Sequence, residues 1–381
     1  MIYMDNAATT YPKPAMVLNA AAKAMRKYGG NPGRSGHKIS EVAALEIFNT
    51  REKVANLFGA DVENCAFTLN CTHALNLAIK GIMKNGGHII TSNLEHNSVI
   101  RPIHSLEKMG CRYSIAQVSD NEQETIENFK KLITPSTKAI AIMIASNVTG
   151  QILPYKGIAK LCKERGICFI ADGAQACGVI PINIEKDGIN ILCSAGHKGL
   201  YGPMGTGILV TDGKFKIDTI IEGGTGSNSF DVLQPDFMPD RLEAGTPNTS
   251  GIIALGAGID FIKRKGMSNI YAHDMILCEQ FCKRISRIGG VIIYERECAY
   301  KRVPIVPFNI MGMNSADLAQ NLNKRGFALR GGMHCSYLAH KKLGTSEQGV
   351  VRFSPSIMNT IEEVDLLART IRKIAVNGSI K

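Results

Sequence analysis

Tryptophan is absent from this chain of 381 residues, and aromatic residues make up only 6% of it. None of its eleven cysteines forms a C-x-x-C pair, which removes the usual zinc-ribbon and dithiol-redox arrangements. No low-complexity stretch and no block of like charges occurs, so neither a disordered tail nor a polybasic arm is expected. The longest apolar run, 139–145, is far too short to cross a bilayer and reads as a buried strand. The opening Met1-Ile2-Tyr3-Met4-Asp5 lacks the basic start and apolar stretch of a signal peptide. These absences lead us to expect a soluble, cytoplasmic protein without membrane contact.

The residues that are present make an ordinary globular composition, 45% hydrophobic and 20% charged. The length suffices for a large core and two or three domains. The formal net charge is +11, but the basic residues are scattered (Lys130-Lys131, Lys263-Arg264-Lys265, Lys341-Lys342). A nucleic-acid binder would gather them on one element, interleaved with aromatics, so nucleic acid is not an expected partner. Anionic small molecules or an acidic protein fit the charge better. Cys278 and Cys282 share one face of a predicted helix without further ligands, and no metal site is expected. The cysteines read mostly as small buried hydrophobes in a reducing compartment.

Short β-branched runs alternate with helical patterns through the first two thirds. Strands are predicted at 65–69, 88–92, 139–145, 168–171, 189–193 and 207–210, with helices at 41–57, 74–83, 126–132 and 155–164. That rhythm predicts an α/β domain around a mostly parallel sheet. Beyond about Ala257 come a long helix (257–265, then 271–287), two short strands (291–294, 305–310), a helix at 315–324 and a last helix at 361–374. They predict a smaller C-terminal α+β domain. The expected division is 15–257 for the large domain, and 1–14 with 258–381 for the small one.

Asp172 follows directly on the predicted strand 168–171. Open α/β sheets place ligands at the carboxyl ends of their strands, so Asp172 could ligate a metal, cap a helix or pair with a protonated ring nitrogen. The next strand leads to Ser194-Ala195-Gly196-His197-Lys198 and a glycine-rich tail. A lysine set there can form an imine with an aldehyde cofactor, and desolvation would free its amine for that step. Pyridoxal chemistry needs such a lysine and an acid opposite the pyridine nitrogen. Cys71-Thr72-His73-Ala74, at a strand-to-helix turn, suits a phosphate through backbone N–H groups and the Thr72 hydroxyl, though threonine is also a routine N-cap. His96 could stack on a planar ring or be an ordinary satisfied histidine.

Six segments then stand in register: Asp5-Asn6-Ala7-Ala8-Thr9, Glu95-His96-Asn97, Ser146-Asn147-x-x-Gly150, Asp172-x-x-Gln175, Ala195-Gly196-His197-Lys198 and Glu243-Ala244-Gly245-Thr246-Pro247-Asn248. Together they resemble the class V aminotransferase group, and within it the cysteine desulfurase and selenocysteine lyase family of compact-loop type. The resemblance implies the type I fold of pyridoxal-phosphate-dependent transferases. It implies that Lys198 binds pyridoxal 5′-phosphate, Asp172 pairs with the ring nitrogen, Gln175 bonds the ring hydroxyl, and His96 stacks on the ring and moves protons. Thr72, with His73 beside it, and His197 fall at the phosphate. Thr246 would reach the phosphate of a second subunit, so a homodimer with shared sites is implied. Two positions depart from the pattern: Ala195 stands where relatives carry Ser or Thr, and His73 where Glu is common.

Arg330-Gly331-Gly332-Met333-His334-Cys335-Ser336 resembles the family's Arg-x-Gly-x-His-Cys signature, with Gly331 in place of Ser or Thr. A cysteine in such a loop, beside Arg330 and His334, is a candidate reactive thiol. The resemblance implies that L-cysteine becomes L-alanine while its sulfur passes to Cys335 as a persulfide, then to an acceptor protein. Asn147 and Arg352, with Arg330 as helper, would hold the substrate carboxylate. The short loop predicts a recessed cysteine. Rival readings are a selenocysteine lyase acting on L-selenocysteine, another class V transferase or lyase, and a scaffold without activity that binds a sulfur carrier.

Overall fold

The computed structural model describes all residues except 34–35, 228, 295–300 and 379–381. Cys298 lies outside the described residues. The chain opens with β1 (Ile2–Tyr3), then α1 (Ala15–Lys27) and α2 (Lys38–Phe58). Alternation follows: β2 (Cys65–Thr68), α3 (Cys71–Met83), β3 (His88–Ser92), α4 (Asn97–Ser105), β4 (Arg112–Ala116), α5 (Glu122–Leu132) and β5 (Thr137–Met143). Next come α6 (Tyr155–Arg165), β6 (Cys168–Asp172), α7 (Ile184–Asp187), β7 (Ile191–Ala195) and β8 (Gly207–Thr211). The C-terminal part holds α8 (Thr249–Lys265), α9 (Met267–Ile285), β9 (Val291–Ile293), β10 (Val306–Ile310) and α10 (Ser315–Asn323). It ends with β11 (Phe327–Ala328), β12 (Arg330–Gly332), α11 (Tyr337–Leu343), β13 (Val350–Phe353) and α12 (Ile361–Gly378).

The result is an α/β fold with a seven-stranded sheet in the order β2-β8-β7-β6-β5-β3-β4. Strands β4, β3, β5, β6 and β7 run parallel, whereas β8 is antiparallel to both β7 and β2. The 11 residues between Ala195 and Gly207 carry no helix, and a parallel return would need a longer, usually helical, crossover. Every residue of β3, β6, β7 and β8 is buried. That is why these strands read as unbroken apolar runs rather than alternating ones.

The expected division at 257–258 falls inside α8. Ile252, Leu255, Ile259, Phe261 and Ile262 of that helix all pack in the core of the large sheet, and so does Ile270 of α9. The second core begins further on, with Leu277, Phe281 and Ile285 of α9 packed against Phe308, Phe353, Leu367 and Met4. The long helix expected at 257–265 and then 271–287 is two helices, separated at Gly266. Around this core β12, β13, β10 and β9 form an antiparallel sheet. The N-terminal arm joins it: β1 pairs in parallel with β11, and Asp5 bridges Ser354.

Candidate active site

Asp172 ends β6, and Lys198 lies three residues beyond the neighbouring β7, at the carboxyl edge where open α/β sheets gather their ligands. A Cβ on Gly199 would come within 2.4 Å of Cys177 O. Only glycine there lets the turn carrying Lys198 close on the turn carrying Gln175. Between them is a cavity of about 220 Å³. Thr72, His96, Asn147, Asp172, Gln175, His197, Lys198, Arg330 and Arg352 all line it. His73 and Thr246 do not; they line an adjoining cleft of about 1100 Å³ that meets the cavity at Asn70 and Thr72.

Lys198 Nζ has no hydrogen-bond partner among the described residues. Burial pushes its pKa down, against the opposing pull of Asp172 and Cys71, so the neutral amine is favoured relative to an ordinary lysine. Asp172 is buried, and its Oδ1 accepts from Ala174 N at 2.9 Å and from Cys71 Sγ at 3.4 Å. Its Oδ2 has no partner among the described residues. The carboxylate thus does cap the following turn, and keeps one oxygen for something in the cavity. Gln175 Nε2 donates to Ala7 O at 2.9 Å, which ties the amide to the N-terminal arm.

Three histidines are held neutral by burial. The His96 pKa is lowered to about 4, chiefly by desolvation. Its Nδ1 accepts from Ser98 N at 3.1 Å and meets Ser98 Oγ at 2.9 Å. The His197 pKa is likewise lowered to about 4, by burial and then by Lys198 and Lys13. Its buried Nδ1 has no partner, while its carbonyl accepts from Thr9 Oγ1, Thr10 Oγ1 and Lys13 Nζ. His334 is buried, and its pKa is pushed well down by desolvation and Arg352. At α3 the Asn70 side chain caps His73 N at 2.9 Å, and the N–H groups of Cys71 and Thr72 find no partner within the described chain. Ala195 faces the cavity, whereas Ser194 turns away to bond Gly173 O at 3.3 Å. No hydroxyl from β7 therefore reaches the cavity. His73 Nδ1 accepts from Leu69 N at 3.2 Å and steadies that turn.

Arg352 enters from β13 with its side chain 2% exposed. One terminal nitrogen meets Asp5 Oδ1 at 2.7 Å, the other Asn147 O at 2.8 Å, and Nε has no partner. Asn147 spends both ends of its amide on the cysteine loop: Nδ2 donates to His334 O at 2.8 Å, and Oδ1 accepts from Ser336 Oγ at 2.7 Å. Asn97 N donates to Cys335 O at 2.8 Å. His334 and Cys335 both take left-handed backbone conformations, φ 48° and 56°, which residues with a Cβ adopt only where the surroundings enforce it. Arg330 reaches Cys335 Sγ at 3.7 Å.

The recessed cysteine expected from the short loop is not what the structure has. Cys335 is exposed and lies outside the cavity lining, at the tip of the turn between β12 and α11. Shortness pins the backbone of this turn but leaves its side chain facing outward. Of the other nine described cysteines, eight are buried and Cys282 is half-buried. Among the described residues no group of three or more His, Cys, Asp or Glu could hold a metal, and no helix is long and apolar enough to cross a membrane.

Sequence reasoning passed over Cys71, Ser98, Asp5 and Glu243 as single residues. Cys71 and Ser98 line the cavity, and Asp5 completes Arg352. Glu243 receives Arg51 through both oxygens, at 2.5 and 2.9 Å, and Phe67 N at 2.6 Å. The forked ion pair ties the segment leading to Thr246 to α2, and the Phe67 N–H ties it to β2.

A family model described as aminotransferase class-V matches residues 2–367. A probable cysteine desulfurase of Methanothermobacter thermautotrophicus is 30% identical over 387 residues, covering 99% of this chain and 95% of its own. A cysteine desulfurase of Haloferax volcanii is 30% identical, covering 97% and 88%. Among solved structures, the apo form of a cysteine desulfurase from Thermococcus onnurineus aligns with a TM-score of 0.92 and 31% identity over 99% of this chain and 95% of that one. A cysteine desulfurase from Escherichia coli aligns with a TM-score of 0.87 and 25% identity, over 98% and 94%.

Proposed function

As this chain belongs to the aminotransferase class-V family, we propose that it is a pyridoxal-phosphate-dependent cysteine desulfurase, converting L-cysteine to L-alanine and carrying the released sulfur on Cys335. One observation supports this reading above the others. An exposed thiol, with a guanidinium 3.7 Å away, sits at the rim of a cavity that holds an unpartnered, desolvated lysine and a buried aspartate.

The polar groups of the cavity fit pyridoxal phosphate. Lys198 Nζ would take the aldehyde, Asp172 Oδ2 the ring nitrogen and Gln175 the ring hydroxyl, with His96 over the ring. The buried, partnerless Nδ1 of His197, the Thr72 hydroxyl and the first N–H groups of α3 would take the phosphate. When bound, the cofactor supplies an aldehyde for the substrate amine and a ring that withdraws electrons from the α-carbon.

The chain's own residues account for the rest. Lys198, whose pKa burial pushes down, is the base placed to take up the α-proton and return it. Arg352 offers its unpartnered Nε and a rigid fork to the substrate carboxylate. Asn147 serves that step indirectly, by holding Arg352 through its carbonyl and the cysteine loop through its amide. The Cys335 thiolate attacks the substrate sulfur, and a sulfur–sulfur bond forms as the carbon–sulfur bond breaks. The bonding electrons stay with the three-carbon fragment, which takes a proton and leaves as alanine. Cys335 keeps the sulfur as a persulfide until an acceptor protein or a reducing thiol removes it.

We also propose that the working unit is a homodimer. Phe48, Leu69, Ile220 and Ile221 are exposed apolar side chains lining the cleft that contains Thr246, and Phe230, Val232 and Leu233 stand out nearby in sequence. A patch of that kind suits a second copy of the chain.

The deciding experiment measures alanine and sulfide from L-cysteine with a thiol reductant, for the native chain and for Cys335→Ala. We expect equimolar products from the native protein and none from the variant, while the visible absorption of bound cofactor persists in both. Alanine from neither protein, with cofactor bound, would sink the desulfurase reading and send the search to L-selenocysteine.

A further inference from the structure

Ser98, the second residue of α4, is buried, and its hydroxyl stands 2.6 Å from Thr72 Oγ1 and 2.9 Å from His96 Nδ1. It thereby joins the N-terminus of α3 to the His96 imidazole. With both contacts made as hydrogen bonds, only one proton order along these three groups is possible. Ser98 N–H donates to His96 Nδ1 at 3.1 Å, so Nδ1 carries a lone pair and the neutral ring keeps its hydrogen on Nε2. The Ser98 O–H must then be the donor toward Nδ1, because nothing on that nitrogen can be given to it. A hydroxyl has one proton, so Thr72 O–H must be the donor toward Ser98 Oγ.

In that order the single proton of Thr72 points at Ser98 and is not available to an anion. An anion seated at the first turn of α3 asks Thr72 to donate. We propose that Ser98 is a positioning residue whose proton moves from His96 to Thr72 when a phosphate occupies the N-terminus of α3, so that anion occupancy sets the hydrogen bonding of His96. The inference rests on the reading that Thr72 holds the cofactor phosphate.

The exchange balances. Before the anion arrives, Thr72 donates to Ser98 and Ser98 to His96. Afterwards, Thr72 donates to the anion and Ser98 to Thr72. Two hydroxyl protons serve two acceptors in each state, and no covalent bond changes. His96 Nδ1 falls from two donors to the single backbone N–H, which leaves Nε2–H less polarised and the ring slower to give up that proton. Ala195 makes the arrangement informative. With no hydroxyl from β7 facing the cavity, Ser98 is the hydroxyl within reach of Thr72 among the described residues.

The test uses the full chain labelled with ¹⁵N at histidine and threonine, with inorganic phosphate as the probe. Two signals are followed by NMR: the His96 ring nitrogens, and the Thr72 amide as a report of anion binding. In the native chain, saturating phosphate should move the Thr72 amide and shift His96 Nδ1 downfield, as a pyridine-type nitrogen does on losing a donor. In Ser98→Ala, Nδ1 should already be downfield and should not move, although the Thr72 amide still responds. Ser98→Thr restores a hydroxyl and should restore the response. In Thr72→Val, His96 should keep its phosphate-free signal at every concentration. A silent His96 in the native chain with a responding Thr72 amide would overturn the coupling and leave the phosphate seat standing. A phosphate-driven shift of His96 in Ser98→Ala or Thr72→Val would overturn it equally. No response at either position would overturn both the coupling and the seat.

Discussion

Asp5→Ala removes one carboxylate and leaves the Arg352 guanidinium buried behind it. The pair is close, 2.7 Å, with the arginine side chain 2% exposed and the aspartate 15%. Burial already pulls the Arg352 pKa down, and Asp5 is the main influence opposing that. Removing one member of a buried pair costs ~3–5 kcal/mol, because the remaining charge stays desolvated without compensation. Asp5 keeps some contact with solvent, so water can enter the vacated space, and we place the cost at the lower end, ~3 kcal/mol. Each 1.4 kcal/mol is tenfold in an equilibrium constant, so the opening of β13 should become on the order of a hundredfold more frequent. Hydrogen exchange reads this directly: amides of Val351 and Phe353 should lose that protection, while Ile170 in β6 should not change. Adding Arg352→Met should recover most of the loss, because an apolar replacement needs no counter-charge. The reasoning fails if Asp5→Ala exchanges within twofold of the native chain, or if the double variant is no better protected than the single one.

Three further outcomes follow from the cavity. Lys198→Ala should abolish the mass increase left by borohydride treatment of the cofactor-loaded protein; retention of that increase would mean another amine holds the aldehyde. Asp172→Asn should keep the fold and slow alanine formation by roughly 10²–10³, the loss typical of one preorganised electrostatic contact; an unchanged rate would remove Asp172 from the chemistry. His96 and His197 both have folded pKa values of about 4 against an ordinary 6.5. Below 6.5 the unfolded chain takes up protons that the folded chain refuses, so stability present above 6.5 is lost as pH falls toward 4. The thermal midpoint should drop across that window and do so less steeply in His96→Gln/His197→Gln; identical slopes would refute the assignment.

Much of the fold was readable because its central strands are buried on both faces and stand out as apolar runs. The 88–92 prediction coincides with β3, and the other strands predicted for this sheet agree within a few residues. Strand β4 was missed because only Ala116 of its five residues is buried. Helix α4 was missed because Pro102 sits inside it, and proline is ordinarily a helix breaker. The direction of β8 did have a signal, the short helix-free link from β7, that composition-based reading passed over. Lys198, Asp172 and Gln175 stood out because Asp172 ends the buried strand β6, Gln175 follows it, and Lys198 follows the buried strand β7. Cys71 was not, because a buried cysteine looks like any other until its partner Asp172, 101 residues away, is placed beside it. The outward position of Cys335 was equally hidden, being set by contacts from Asn97 at the start of α4 and from Asn147, both distant in sequence.

The tie between Asp5 and Arg352 spans 347 residues, and this gives the protein an order of assembly during synthesis. The groups we assign to cofactor capture, Thr72, Asp172 and Lys198, have all left the ribosome while Arg352 is still unmade. Asp5 then waits, exposed, for nearly the whole of translation before its counter-charge arrives with β13. The growing chain therefore has the groups assigned to the cofactor in hand long before the arginine that would grip an amino acid by its carboxylate, and until β13 is made it has no such grip.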